Sequence, residues 1–187
     1  MTILVSDTSV LIDLERGELI SCAFKLSATF AVPDLLYERE LRDYGGEDLV
    51  KFGLKVESLD GDGVELAMRH MHAQRHLTVP DSFALALAKR NGWTLLTGDG
   101  PLRALAKAVR ATRTDHVLVT GDAGLRNEAI AQLCKVYGLL WMLDRMAESD
   151  TVSSAQLYDG LSRIAAHPRC RLPLADVQVR LRAWAVG

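Results

Sequence analysis

The sequence predicts an α/β protein: a parallel sheet of about five strands, covered by helices on both faces. Three observations predict it. Short apolar runs alternate with helical patterns through most of the chain, and that alternation gives parallel sheets with helical crossovers. Apolar residues make up 49% of the 187 residues, enough for a full core. Three of the apolar runs end on or just before an aspartate rather than a glycine-rich phosphate loop, and the carboxyl edge of such a sheet is where ligands bind.

The elements follow in order. Residues 3–6 form a short apolar strand ending in "SDTS", and residues 9–14 read as a helix broken by Gly17. Residues 28–32, "ATFAV", form the second strand. Pro33 suits a helix start, and that helix extends to Tyr44, where Gly45 and Gly46 stop it. "LKVESL" (residues 54–59) alternates as a third strand, and a helix covers residues 64–74. Pro80 opens the helix "DSFALALAKRNG", for which Asn91-Gly92 is a C-terminal stop. "TLLT" (residues 94–97) and "VLVT" (residues 117–120) read as strands four and five. Only helices are expected after Gly138, among them residues 153–167 and 174–184. One domain spans residues 1–187 in this reading, with a core over about 1–144 and a helical extension over about 145–187.

No stretch approaches the ~18 apolar residues of a membrane span, and the opening "MTILV" lacks the features of a signal peptide. A cytoplasmic location is expected, with no membrane partner. Cys22, Cys134 and Cys170 are far apart and form no Cys-x-x-Cys pair, which argues against a zinc site or a disulfide framework. A net charge of −2 excludes a protein that grips nucleic acid over its whole surface, but not a local basic patch.

The chemistry lies in the carboxylates. Asp7, Asp99 and Asp122 follow predicted strands one, four and five; Asp81 opens the helix before strand four; Glu38 and Glu40 lie in "PDLLYEREL". Taken singly, each aspartate suits a helix cap, and Thr78 with Asp81 forms a variant capping box. Taken together they form an all-oxygen cluster. Hard Mg²⁺ or Mn²⁺ prefers oxygen ligands, and such an ion can promote phosphodiester cleavage. Arg103, Lys107 and Arg110 recur on one helical face after strand four and suit RNA phosphate contacts; a plain solvated face explains them equally. His70, His72 and His76 read as a solvated or RNA-facing surface, and Trp93, Trp141 and Trp184 as core or interface.

"ILVSDTSVLIDL", "PDLLYEREL", "VPDSFALALAKRNGWTLLTGD" and "GLLWMLD" together resemble the PIN-domain ribonucleases, in particular the VapC-type toxins of VapBC toxin–antitoxin systems, over residues 2–144. The resemblance implies a PIN-like three-layer α/β/α fold and a metal-dependent endoribonuclease leaving 5′-phosphate and 3′-hydroxyl ends. Its acidic quartet falls on Asp7, a glutamate of "EREL", Asp81 and Asp99. Glu40 fits the family's apolar pattern and is placed ahead of Glu38, although neither offset from Pro33 is the family's usual one. Ser9 and Thr97 are expected to orient carboxylates or water. The partners implied are RNA, a small antitoxin and a second copy of the chain.

One ambiguity is internal. "TLLTGDGPLR" and "VLVTGDAGLR" repeat one pattern. Asp99 lies 18 positions after Asp81, one helix and one strand, while Asp122 lies 41 positions after it. A strand–helix unit is therefore inserted or duplicated near residues 106–120. With "VLVT" outside "TLLT", Asp122 stands one strand farther from Asp7 and becomes a second metal ligand or a helix cap. Two other classes compete. An α/β phosphatase with Asp7 as nucleophile is disfavoured by Ser9, where such enzymes carry a second aspartate. A non-catalytic RNA- or antitoxin-binding module is disfavoured by the complete quartet. A housekeeping RNA-processing nuclease is the remaining variant.

Overall fold

The computed structural model describes residues 2–6, 8–73, 78–96, 136–170 and 172–185. Five parallel strands lie in the order β3-β2-β1-β4-β5: β1 (Thr2–Ser6), β2 (Ala28–Pro33), β3 (Lys55–Glu57), β4 (Thr94–Leu96) and β5 (Val136–Tyr137). In β1 the consecutive residues Leu4 and Val5 are both buried. Successive strand residues point to opposite faces, so the sheet is covered on both, as its near-continuous apolar strands foretell. α5 (Gly61–Ala73) and α6 (Val79–Asn91) pack together, and α6 lies over β1, β2 and β4. A second group of helices supplies the other cover: α1 (Thr8–Arg16), α2 (Ile20–Ala23), α7 (Leu139–Glu148) and α8 (Ser154–Ala166).

The first departures from expectation lie between β2 and β3. α3 (Asp34–Leu36) runs on through a π-turn (Tyr37–Leu41) and a 3-10 turn (Arg42–Tyr44). Gly45 then takes a left-handed φ of 87°. The glycine pair does not only end that stretch: α4 (Gly46–Phe52) starts at once. α6 is built as its sequence predicts. Thr78 and Asp81 form a capping box, Pro80 sits in the first turn, and Gly92 adopts the left-handed conformation past the end.

The fifth strand is a correction. The edge beyond β4, expected to receive residues 117–120, is taken by Val136–Tyr137, paired Leu95↔Val136 and Leu96↔Tyr137. The other edge of β4 is held by β1, in the register Leu4↔Thr94 to Ser6↔Leu96. "VLVT" itself lies outside the described residues.

The C-terminal helices are tied to the rest by shape and by charge. Gly17, after α1, and Gly160, on α8, lie face to face. A Cβ at Gly160 would come within 2.8 Å of the Gly17 carbonyl oxygen, and a Cβ at Gly17 within 3.2 Å of that of Gly160. α9 (Leu174–Trp184) packs on α8. Its Arg180, only 6% exposed, donates from Nε to Asp144 Oδ1 (2.8 Å) and from Nη2 to Oδ2 (2.6 Å) of α7, and from Nη1 to the Asp176 carbonyl (3.1 Å). Replacing Arg180 by methionine keeps most of the apolar stem but strands a carboxylate that is two-thirds buried. The expected loss is about 2–3 kcal/mol in urea unfolding, below the full cost of breaking a deeply buried pair because Asp144 keeps some water. An unchanged midpoint would show that the pair adds nothing over an apolar contact.

Candidate active site

In the order 3-2-1-4-5 the sheet reverses its direction of winding between β1 and β4, and the crevice beyond the carboxyl ends of those two strands is the ligand position of such folds. Ser6 ends β1, paired with Leu96 at the end of β4. Asp7 follows Ser6 directly and Asp99 follows Leu96 by three residues in the sequence. Both aspartates, with Asp122, Thr97, Arg103, Lys107 and Arg110, lie outside the described residues. The described part of the site is therefore Thr8, Ser9, Glu38, Glu40 and Asp81.

Glu38 and Glu40 separate cleanly. They lie two residues apart on a tight helical turn, which puts them on nearly opposite sides. The Glu38 carboxylate accepts a hydrogen bond from Arg42 in an exposed pair. It lines a cleft of about 440 Å³ walled by Leu35, Leu59, Val64 and Phe83. Glu40 is partly buried and turns to α1: its Oε2 accepts a hydrogen bond from Thr8 Oγ1. It lines a different cleft, of about 470 Å³, with Thr8, Leu11, Ile12 and Leu41. The turn carrying both glutamates is a π-turn, closed by the Arg42 amide on the Tyr37 carbonyl five residues back. A π-turn takes in one residue more than an α-turn and recurs at functional sites. It gives a physical account of why the glutamate's offset from Pro33 departs from the usual one.

Asp81 sits in the first turn of α6, partly buried. Its Oδ2 accepts hydrogen bonds from Thr78 Oγ1 (2.6 Å) and from the Thr78 amide (3.2 Å), and its own amide donates to Thr78 Oγ1 (3.3 Å). The capping role is thus real, and it fixes the rotamer of a carboxylate that the sequence also places in the quartet. α6 reaches the same neighbourhood as the glutamates, packing on α3 and placing Phe83 in the Glu38 cleft. Ser9 is exposed in the first turn of α1.

Two residues escape sequence reasoning. Thr8 has as its only signal a hydroxyl placed directly after a strand-end aspartate. Arg39 lines both clefts flanking the π-turn and is exposed; alternation of charge in "EREL" was its one sign. The histidine reading needs correction: His70 is 3% exposed on α5, because a residue midway along a helix packed on α6 faces inward, while His72 is exposed. His76 lies outside the described residues. Trp93, Trp141 and Trp184 are all partly buried against the core, as expected.

A longer groove leaves the Glu40 cleft. A second cavity, of about 230 Å³, shares Glu15, Tyr44 and Leu49 with it and continues to Ile20 and Phe52. Tyr44 is 75% exposed and Phe52 46%, so large apolar surface faces solvent along one line.

Among the described residues no three His, Cys, Asp or Glu side chains converge as a complete metal set. The donors that are described, Glu40 and Asp81, offer carboxylate oxygens. That chemistry fits a hard divalent cation and not zinc or copper. No described helix is long and apolar enough to cross a membrane.

A family model described as DUF3368, a PIN domain, matches residues 3–112. No curated protein and no solved structure matches the chain.

Proposed function

The chain belongs to the PIN-domain family, a nuclease-type fold, and from that premise we propose that it is a Mg²⁺- or Mn²⁺-dependent endoribonuclease, the toxin of a toxin–antitoxin pair. The observation that carries the reading is the hydrogen bond from Thr8 to Glu40. It brings a carboxylate from after β2 to the residue next to Asp7, beside the switch point of the sheet.

Asp7, Glu40, Asp81 and Asp99 would hold the ion. When bound, the ion supplies Lewis acidity that makes water a competent nucleophile at neutral pH and offsets charge on the phosphate. The residues of the chain do the rest. The quartet fixes the cation at the carboxyl edge of the sheet, where the scissile phosphate meets it. A carboxylate of the site accepts the proton of the attacking water as general base. Attack in line with the 3′-oxygen leaves 5′-phosphate and 3′-hydroxyl ends. Arg39, at the rim of the Glu40 cleft, and the sequence-predicted Arg103, Lys107 and Arg110 are the candidates to hold neighbouring phosphates, as guanidinium groups do well.

The antitoxin reading is supported by the groove from Glu40 to Phe52. Its walls are apolar, Leu11, Ile20, Leu49 and Phe52, and Glu15 and Glu40 lie along it. An amphipathic segment with a basic side chain reaching Glu40 would fill the groove and neutralise the site. A homodimer and a cytoplasmic location complete the proposal.

Two measurements test it. The purified protein is expected to cut single-stranded RNA with Mn²⁺, to stop with EDTA, and to leave ends that accept ligation through a 5′-phosphate. Expression without the neighbouring gene is expected to arrest growth, and Asp81→Asn to relieve the arrest. A harmless wild type that still cuts RNA in vitro would point instead to a housekeeping processing enzyme. No metal-dependent cleavage at all would leave a binding module.

A further inference from the structure

Glu40 is reached by two devices that the family resemblance does not call for: the π-turn and a hydroxyl from a distant residue. An exposed glutamate samples many rotamers, and ordering such a side chain costs up to about 2 kcal/mol of entropy. Here the cost is met before any ligand arrives. Thr8 Oγ1 donates to Glu40 Oε2 across 32 positions of sequence, and both side chains are partly buried. A hydrogen bond to an ionised carboxylate is among the stronger kinds. It engages one lone pair of one oxygen and leaves the rest of the carboxylate for a cation. The donor is also the residue joined covalently to Asp7, so one bond registers two carboxylate-bearing segments against each other. The competing glutamate is held away: Glu38 is paired with Arg42 on the other side of the turn.

We propose that Thr8 is a positioning residue for the divalent cation, acting through its hydrogen bond to Glu40, and that the π-turn Tyr37–Leu41 is what presents Glu40 to it. The inference rests on the nuclease reading and adds to it a residue outside the acidic quartet.

The test is Mn²⁺ binding to the apo protein, followed by the electron paramagnetic resonance signal of the free ion, so that it does not depend on turnover. Thr8→Val keeps the shape and removes the donor. Its Kd for Mn²⁺ is expected to rise on the order of 10-fold, as for the loss of other groups that orient a metal ligand. Thr8→Ser keeps the hydroxyl and is expected to bind near the wild-type level. In cleavage assays the Val variant should need more Mn²⁺ but recover most of its kcat at saturation. In a Glu40→Gln background the same Thr8→Val change should have almost no further effect on Kd, because the partner is already gone. Thr8→Ala repeats the comparison with a smaller side chain, and thermal unfolding confirms that each variant is folded. A folded Val variant that binds Mn²⁺ like the wild type overturns the role of Thr8, as does an equal loss in the Glu40→Gln background. A wild type that binds no Mn²⁺ overturns the metal reading as well, so the two failures are distinguishable.

Discussion

Asp99→Asn is expected to abolish Mn²⁺-dependent RNA cleavage, while Asp122→Asn keeps most of it. The expected gap is on the order of 10²–10³-fold, the usual consequence of losing one group that stabilises a developing charge. The argument rests on strand pairing. β4 lies directly beside β1, with Leu96 opposite Ser6. Asp99 follows Leu96 by three residues and Asp7 follows Ser6 by one. Three residues span at most about 10 Å, so Asp99 cannot lie far from the β1–β4 crevice. Asp122 has no such tether. The edge of β4 where its strand was expected is filled by Val136–Tyr137. The two variants should be assayed side by side with Mn²⁺ titrations, and circular dichroism should confirm that both fold. The opposite result, an active Asp99→Asn and a dead Asp122→Asn, would contradict the pairing of β4 with β1.

Glu40→Gln and Glu38→Gln form the second pair, with an expected difference of about 10²-fold in cleavage. Glutamine at position 40 keeps the volume and can still accept from Thr8, but it brings no charge to the cation. Glutamine at position 38 loses an exposed pair with Arg42, and exposed pairs contribute little. Glu38→Gln is therefore expected to retain wild-type Mn²⁺ dependence and stability. Equal losses in the two variants would mean that the π-turn rearranges when RNA binds, and the face argument would fail.

How far the sequence could be read depended on whether the deciding interaction was local. α6 was legible down to its caps, because Thr78, Pro80, Asp81 and Gly92 act within a turn of where they stand. The parallel sheet was legible because both faces of β1 and β2 are apolar. β5 was not: two residues, Val136 and Tyr137, carry no periodicity, and "VLVT" offered a better strand pattern nearby. α4 was missed because a glycine pair reads as a stop, whereas Gly45 turns the chain and Gly46 starts the next helix. Within the site, residue types pointed to a carboxylate cluster. The choice between Glu38 and Glu40 could not be made from residue types, because it depends on a hydrogen-bonding register in a π-turn and on a contact with Thr8 from 32 residues away. Neither leaves a mark on local composition.

The sheet ends in two very short edges. β3 is three residues long, with Lys55 and Val56 exposed, and β5 is two. An open edge is a template on which another strand can add, and length is what makes that addition stable. Two or three rungs, one beside a lysine, are too few to recruit a neighbour. The consequence concerns crowding rather than catalysis. A nascent or overexpressed chain is protected against edge-to-edge stacking into aggregates, even though its central strands are strongly apolar. Two copies of this chain then meet through helix faces, and a partner peptide that binds as an added β-strand finds no seat at either rim.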